Sequence, residues 1–363
     1  RGISMFRYRD KKVSEKIVSK LREMNLNIRL MHVCGTHQDT LVRFGIDELL
    51  KNTGVEIRQG PGCPVCVTTP KEIEEAMLLA RKGKTITVFG DMMNVPGQKH
   101  SLSDTKTMGH DVKIVYSVDD ALKIAGKTKK DVVFMAIGFE TTAPSTASVI
   151  LSNPPENFSI LNCHRLIPPA LKAIIEMGEV KLHGLIEPGH VSTVIGAKPY
   201  EFLSKDYGVP QVIAGFEPLD LMMGVYMLAC QIKNKKAEVE IEYKRSVKYD
   251  GNKKAVKMMK DVFESYDIAW RGFPIIKNSG LKLKNTFQSY DARKKFEDEL
   301  KELNNIEFKE PKGCRCGEML RGLTNPDDCP LFGKSCTPTT PVGPCMVSRE
   351  GNCNIVFRYS GRH

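Results

Sequence analysis

Three cysteines near the front of the chain have the spacing of thiol chemistry. Cys34 stands three residues before His37 in Met31-His-Val-Cys34-Gly-Thr-His37, and Cys63 and Cys66 enclose a Pro-Val pair. A thiol at the end of a strand and the start of a helix meets exposed backbone N–H groups and the positive end of the helix dipole. Both lower its pKa and favour thiolate. His37, one turn on, is expected within reach of whatever Cys34 holds. Cys-x-x-Cys is the spacing of a reversible dithiol, and equally of half a zinc site. Three thiols converging in one crevice would suit a soft metal or thiol exchange better than packing.

Six more of the 11 cysteines lie in the tail: Cys314, Cys316, Cys329, Cys336, Cys345 and Cys353, among many Gly and Pro residues. So turn-rich a segment buries little apolar surface and needs a covalent staple. Disulfides, zinc and an iron–sulfur cluster all remain open. Paired Cys-x₂-Cys knuckles for zinc and repeated ferredoxin steps are both missing; of the six thiols four could bind a 4Fe-4S cluster and two could form an adjacent disulfide, with zinc still open on spacing. Weaker candidates punctuate the chain between these groups. Asp91, Glu140, His190 and Glu217 follow β-branched runs; each could serve a cleft, cap a helix or bond a loop. Cys163-His164 is similar, whereas Cys230 reads as core. No Walker loop or Gly-x-Gly-x-x-Gly occurs, so nucleotide binding has no sequence support.

Alternating strands and helices must position these groups. Strands are expected at 28–33, 55–58, 85–89, 112–116, 132–137, 160–162, 182–186 and 212–214. Helices are expected at 40–50, 71–81, 119–125, 142–151, 169–177 and 218–232. That alternation predicts an α/β fold: two similar parallel-sheet domains around a cleft, spanning 1–125 and 126–236, with an N-terminal helix free to pack elsewhere. Gly138-Phe-Glu and Gly215-Phe-Glu echo each other at two strand-to-helix turns. Residues 237–363 form a smaller C-terminal α+β domain, with helices around 255–266 and 292–303, an extended piece at 274–284 and the cysteine tail. In open α/β sheets reactive groups gather beyond the carboxyl ends of strands, where every conspicuous motif here falls.

The chain has 363 residues, 41% hydrophobic, and a net charge of +11 from dispersed lysines and arginines. No basic stripe is interleaved with aromatics, so nucleic acid is not an expected partner. No apolar run approaches the roughly 20 residues that span a bilayer, and no membrane association is expected. Arg1-Gly-Ile-Ser-Met5 lacks a signal-peptide core. Met5 is therefore read as the start and the cytoplasm as the location, where metal or redox use of cysteine outranks structural disulfides.

Taken together, Cys34-Gly-Thr-His37, Gly60-Pro-Gly-Cys63-Pro-Val-Cys66, Gly90-Asp91-Met-Met-Asn-Val-Pro96, Gly138-Phe-Glu-Thr-Thr-Ala-Pro144, Pro188-Gly-His190-Val-Ser192 and the tail resemble the HypD family of [NiFe]-hydrogenase maturation factors. Two departures stand at Asn94, where a basic residue is the pattern, and at Gln98-Lys99-His100, which replaces a smaller loop. The resemblance implies a scaffold on which, with a small HypC-like chaperone, ferrous iron gains two cyanides and one carbon monoxide. A HypE-like donor would bring the cyanide as a thiocyanate. It implies Cys34 as the iron ligand with His37 nearby, and Cys63 and Cys66 as a redox pair. It further implies Cys314, Cys329, Cys336 and Cys353 around a 4Fe-4S cluster, with Cys316 and Cys345 as paired thiols, an arrangement similar to ferredoxin:thioredoxin reductase. A free-standing thiol-disulfide reductase with such a cluster, or a zinc-stapled binding module, are the rival readings.

Overall fold

The structure, a computed structural model, describes residues 10–359; Met5 lies outside them. Two parallel sheets carry the architecture. The first is built from β1 (Ile28–His32), β2 (Val55–Gln59), β7 (Gly184–Pro188), β8 (Gln211–Ala214) and β9 (Val239–Ile241), in the order β2-β1-β7-β8-β9. The second contains β3 (Thr85–Phe89), β4 (Val112–Val115), β5 (Val132–Gly138) and β6 (Phe158–His164), in the order β4-β3-β5-β6. Strands β5 and β6 are buried at every position, as expected of strands covered on both faces.

Strand pairing does not follow the contiguous division at 125. β3 pairs with β5 across that position, joining β4 and β6 in one sheet, while β1 pairs with β7, more than 150 residues on. The second sheet is thus inserted between β2 and β7 of the first. Alternation of apolar runs locates strands but carries no information on neighbours, so this crossing was invisible to it. Each sheet has one point where strand order reverses: between β1 and β7 in one, between β3 and β5 in the other. Ligands of open α/β sheets settle outside the carboxyl ends at such points.

The C-terminal part contains an antiparallel hairpin, β10 (Phe263–Ala269) with β11 (Ile275–Leu283). The helix expected through Tyr266 stops at Val262, and Phe263–Ala269 instead pairs antiparallel with Ile275–Leu283, with a register irregularity between Tyr266 and Ile268. The helix expected over 292–303 is broken at Phe296 into short turns. Trp270, the single tryptophan, is buried beyond β10 and donates its ring N–H to Ser279 Oγ at 2.8 Å.

A buried ion pair locks the second sheet to the hairpin. Arg165, following β6, places its guanidinium on Glu72 of helix Pro70–Arg81, with Nη2 2.7 Å and Nη1 3.2 Å from the two carboxylate oxygens. Nη2 also donates to the Ala269 carbonyl at 2.9 Å. Arg293 approaches the same carboxylate at 3.8 Å and Glu75 at 2.8 Å. No helix among the described residues is long and apolar enough to cross a membrane.

Candidate functional site

The reversal points of the two sheets open onto one cleft of about 470 Å³. It is lined by Cys34 and Thr36 beyond β1, His190 beyond β7, Asp91 beyond β3, and Gly138 and Phe139 at the end of β5. Glu350, from the tail, completes the rim.

Cys34 stands at the N-cap position of helix Gly35–Arg43, without a side-chain capping hydrogen bond, and the nearby amides of His37 and Thr36 favour its thiolate, as the sequence predicts. Its pKa goes the other way. Burial pushes the thiol up to about 11, the amides pull it down, and the negative charge of Glu350 adds to the rise. At 8% exposed, Cys34 loses more from missing water than two amide dipoles return. In this state it is a thiol at neutral pH.

His37 does not line the cleft. It is fully buried, and its Nε2 donates toward the carbonyls of Ala214 and Gly215 at 3.2 and 3.0 Å, which ties the helix after Cys34 to the end of β8. Burial first, then the neighbouring His32, lowers its pKa to about 3, so it stays neutral. The ring lies tilted against Phe216, which also stacks on His190 with centroids 3.8 Å apart and meets the edge of Tyr243. Among the sequence candidates, then, Cys34, Asp91 and His190 reach the cleft.

Glu140 and Glu217 do not. Glu140 is buried, accepts from the Ile167 N–H at 3.0 Å, and is pushed up to about 8 by burial. Glu217 and Asp220 form a capping box at the start of helix Pro218–Lys233, the plainer reading of that residue. Cys163 and His164 are buried in β6, and His164 Nδ1 pairs with Asn162 Oδ1 at 2.7 Å.

Parallel pairing of β1 with β2, His32 opposite Gln59, brings the two thiol motifs together. The Gly35 N–H donates to the Gly62 carbonyl at 3.3 Å. A side chain on Gly62 would collide with the main chain of Val33 and Cys34, so glycine alone permits this contact. Cys63 and Cys66 are joined by a disulfide and fully buried. Gly35 admits the tail: a Cβ there would fall on Glu350. Glu350 was missed because it lies over 300 residues from Cys34, in a loop without periodic pattern. Its carboxyl is raised by loss of water around it and then by the charge of Asp91.

The tail covers the disulfide. Cys345 borders the same small space as Cys63 and Cys66, with Met319 and Leu320. The neighbouring thiols of Cys314 and Cys345, together with burial, hold Cys316 well above the ordinary thiol value. Cys314, Cys316, Cys329, Cys336 and Cys353 line one enclosed cavity. The hydrogen bond from Cys316 lowers Cys314 to about 7. Among the described residues, no group of three or more His, Cys, Asp and Glu is arranged to hold a single metal ion. A buried set of thiols with no carboxylate or imidazole among them fits the thiolate ligation of an iron–sulfur cluster in its chemistry.

The family model HypD, described as "Hydrogenase formation hypA family", matches residues 10–360. A protein of Methanocaldococcus jannaschii named for hydrogenase expression and formation is 47% identical over 353 residues, covering 96% of each chain. Hydrogenase maturation factor HypD2 of Bradyrhizobium diazoefficiens is 42% identical over 97% of this chain and 95% of its own. HypD of Cupriavidus necator is 41% identical over 97% and 96%. With the thiol motifs gathered at one cleft and the match running from end to end of the described residues, the chain belongs to the HypD family of hydrogenase maturation factors.

Proposed function

We propose that this protein is a cytoplasmic scaffold on which, with a HypC-like chaperone, the Fe(CN)₂CO group of a [NiFe]-hydrogenase is built. A HypE-like protein donates the cyanide. The observation that carries the reading is the joint opening of both sheets' reversal points onto Cys34, beside a disulfide and a thiol-rich tail. Ferrous iron, the cargo, wants a soft anionic ligand, and Cys34 supplies it by exchanging its proton for the metal. The N–H groups of Thr36 and His37 then stabilise the thiolate. Asp91, His190 and Glu350 ring the cleft and can steady polar or cationic groups there.

Cyanide held on a sulfur leaves only with two electrons. The reduced pair, Cys63-SH and Cys66-SH, provides them: R–S–CN + 2 Cys-SH → R–SH + CN⁻ + H⁺ + Cys–S–S–Cys. Burial of the pair keeps bulk oxidants from consuming its electrons. Cys345 borders the same small space as that disulfide and Cys316 lines the neighbouring cavity, which supports a route through these two thiols for reducing the pair again. Held by Cys314, Cys329, Cys336 and Cys353, a 4Fe-4S cluster would supply electrons at that end of the route.

Anaerobic purification tests this reading. Iron and acid-labile sulfide are expected with the wild-type chain, and zinc is not. In Cys329→Ala the visible absorption of the cluster is expected to vanish, together with a lower melting temperature as the tail loosens. Stoichiometric zinc without labile sulfide would instead make the tail a zinc-stapled module.

A further inference from the structure

β2 is an edge strand of the first sheet, and its outer side faces an open groove of about 540 Å³. Main-chain bonding fixes which residues face outward. The Ile28 N–H donates to the Gly54 carbonyl and the Gly60 N–H to the His32 carbonyl, so the even-numbered residues of this stretch face β1. Val55, Ile57 and Gln59 therefore turn their N–H and C=O groups into the groove, which all three line. Gln59 adds a second observation: only 7% exposed, it carries a buried Oε1 with no hydrogen-bond partner among the described residues. Leu41, Val42 and Val356 give the groove apolar flanks.

Its charge is the reverse of the molecule's. Asp47, Glu48, Glu56 and Asp327 line it against a single cation, Lys51, on a chain of net charge +11. Glu56 is also approached from outside the lining by Arg29 and Arg58. Among the described residues no strand pairs with the outer side of β2, and a parallel edge of that kind is a template for another strand. Acidic flanks select a basic one.

We propose that this groove docks an extended, lysine- or arginine-bearing segment of a partner protein, which adds beside β2 as a sixth strand of the sheet. Its backbone answers Val55, Ile57 and Gln59, its apolar side chains meet the flanks, and its cations meet the carboxylates. Gln59 and Asn352 also border the space in front of Cys63 and Cys66, so the occupant lies next to the redox pair. The site rests on the edge and its lining alone and is independent of iron at Cys34.

The test is hydrogen exchange over residues 55–59 of the full chain. The probe is an end-blocked eight-residue peptide alternating lysine and valine. Exchange there is expected to slow at least tenfold with this peptide, but not with its backbone N-methylated form or with glutamate in place of lysine. Ile57→Pro, which removes an outward donor, and Asp47→Lys, a change at the rim that leaves the strand intact, should each weaken binding tenfold or more. No protection at millimolar peptide, or equal protection by the glutamate peptide, would overturn the proposal. So would protection that rises with protein concentration alone, since the occupant would then be a second copy of the chain.

Discussion

Replacing Cys34 by alanine is expected to abolish iron-cargo binding and hydrogenase maturation, while the tail keeps its visible absorption and labile sulfide. The separation follows from position. Cys34 lies in the cleft at the end of β1, whereas the tail thiols line their own enclosed cavity. The substitution removes one buried sulfur at a helix start and leaves His37 bonded to Ala214 and Gly215, so the helix keeps its anchor. The loss of stability should therefore be modest, on the order of 1 kcal/mol for a small buried side chain reduced in size. Metal analysis, absorption spectra and complementation of a strain lacking its own copy report the three quantities separately. Loss of the tail's absorption along with the cargo would place Cys34 among the cluster ligands and refute the division of thiols.

Removing the Glu72 carboxylate should produce the largest stability change. Glu72→Ala leaves Arg165, 1% exposed, as an unpaired buried charge, a loss of about 3–5 kcal/mol. It also deletes the capping box with Thr69 at the start of helix Pro70–Arg81. That helix follows directly on the one containing Cys66, so its loosening should reach the disulfide. Burial opposes ionisation of Glu72, but Arg165, then Arg293 and the Thr69 N–H, outweigh it and hold its pKa below the ordinary value. A depressed acid contributes stability above its unfolded pKa of about 4.3 and loses it as pH falls through its folded value. The gap between wild type and variant should therefore be full at neutral pH and close only under acid conditions. Denaturation curves at several pH values measure it. The exposed pair Lys301–Asp298 is the control, and its loss should leave stability nearly unchanged. A neutral-pH loss for Glu72→Ala as small as the control's would mean that Arg165 finds water or another partner.

The strands were legible because their runs are β-branched and short; Thr85–Phe89 coincides with its expected limits. What periodicity could not state was which strand lies beside which, and so the insertion of one sheet into the other went unread. Cys34, Asp91 and His190 were found by a rule of place, the carboxyl end of a strand, and they do share a cleft. The same rule failed for Glu140 and Glu217, since a carboxylate at a strand end is as well employed on a neighbouring N–H. His37 sits three residues from Cys34, yet its ring points to β8, a strand 177 residues away. Sequence spacing gives proximity along a helix but not which carbonyls across the sheet will claim the ring. Glu350 had no local signal, and only the missing side chain at Gly35 makes room for it.

Infrared spectroscopy of the anaerobically purified complex with its small partner tests the central claim most directly. If Cys34 grips an iron under construction, the wild-type complex shows iron-bound cyanide and carbon monoxide stretches, and the cyanide bands shift when the cells' cyanide source is labelled with ¹³C. An iron-replete preparation whose spectrum is empty in that region would contradict the claim and leave a thiol-disulfide reductase in its place.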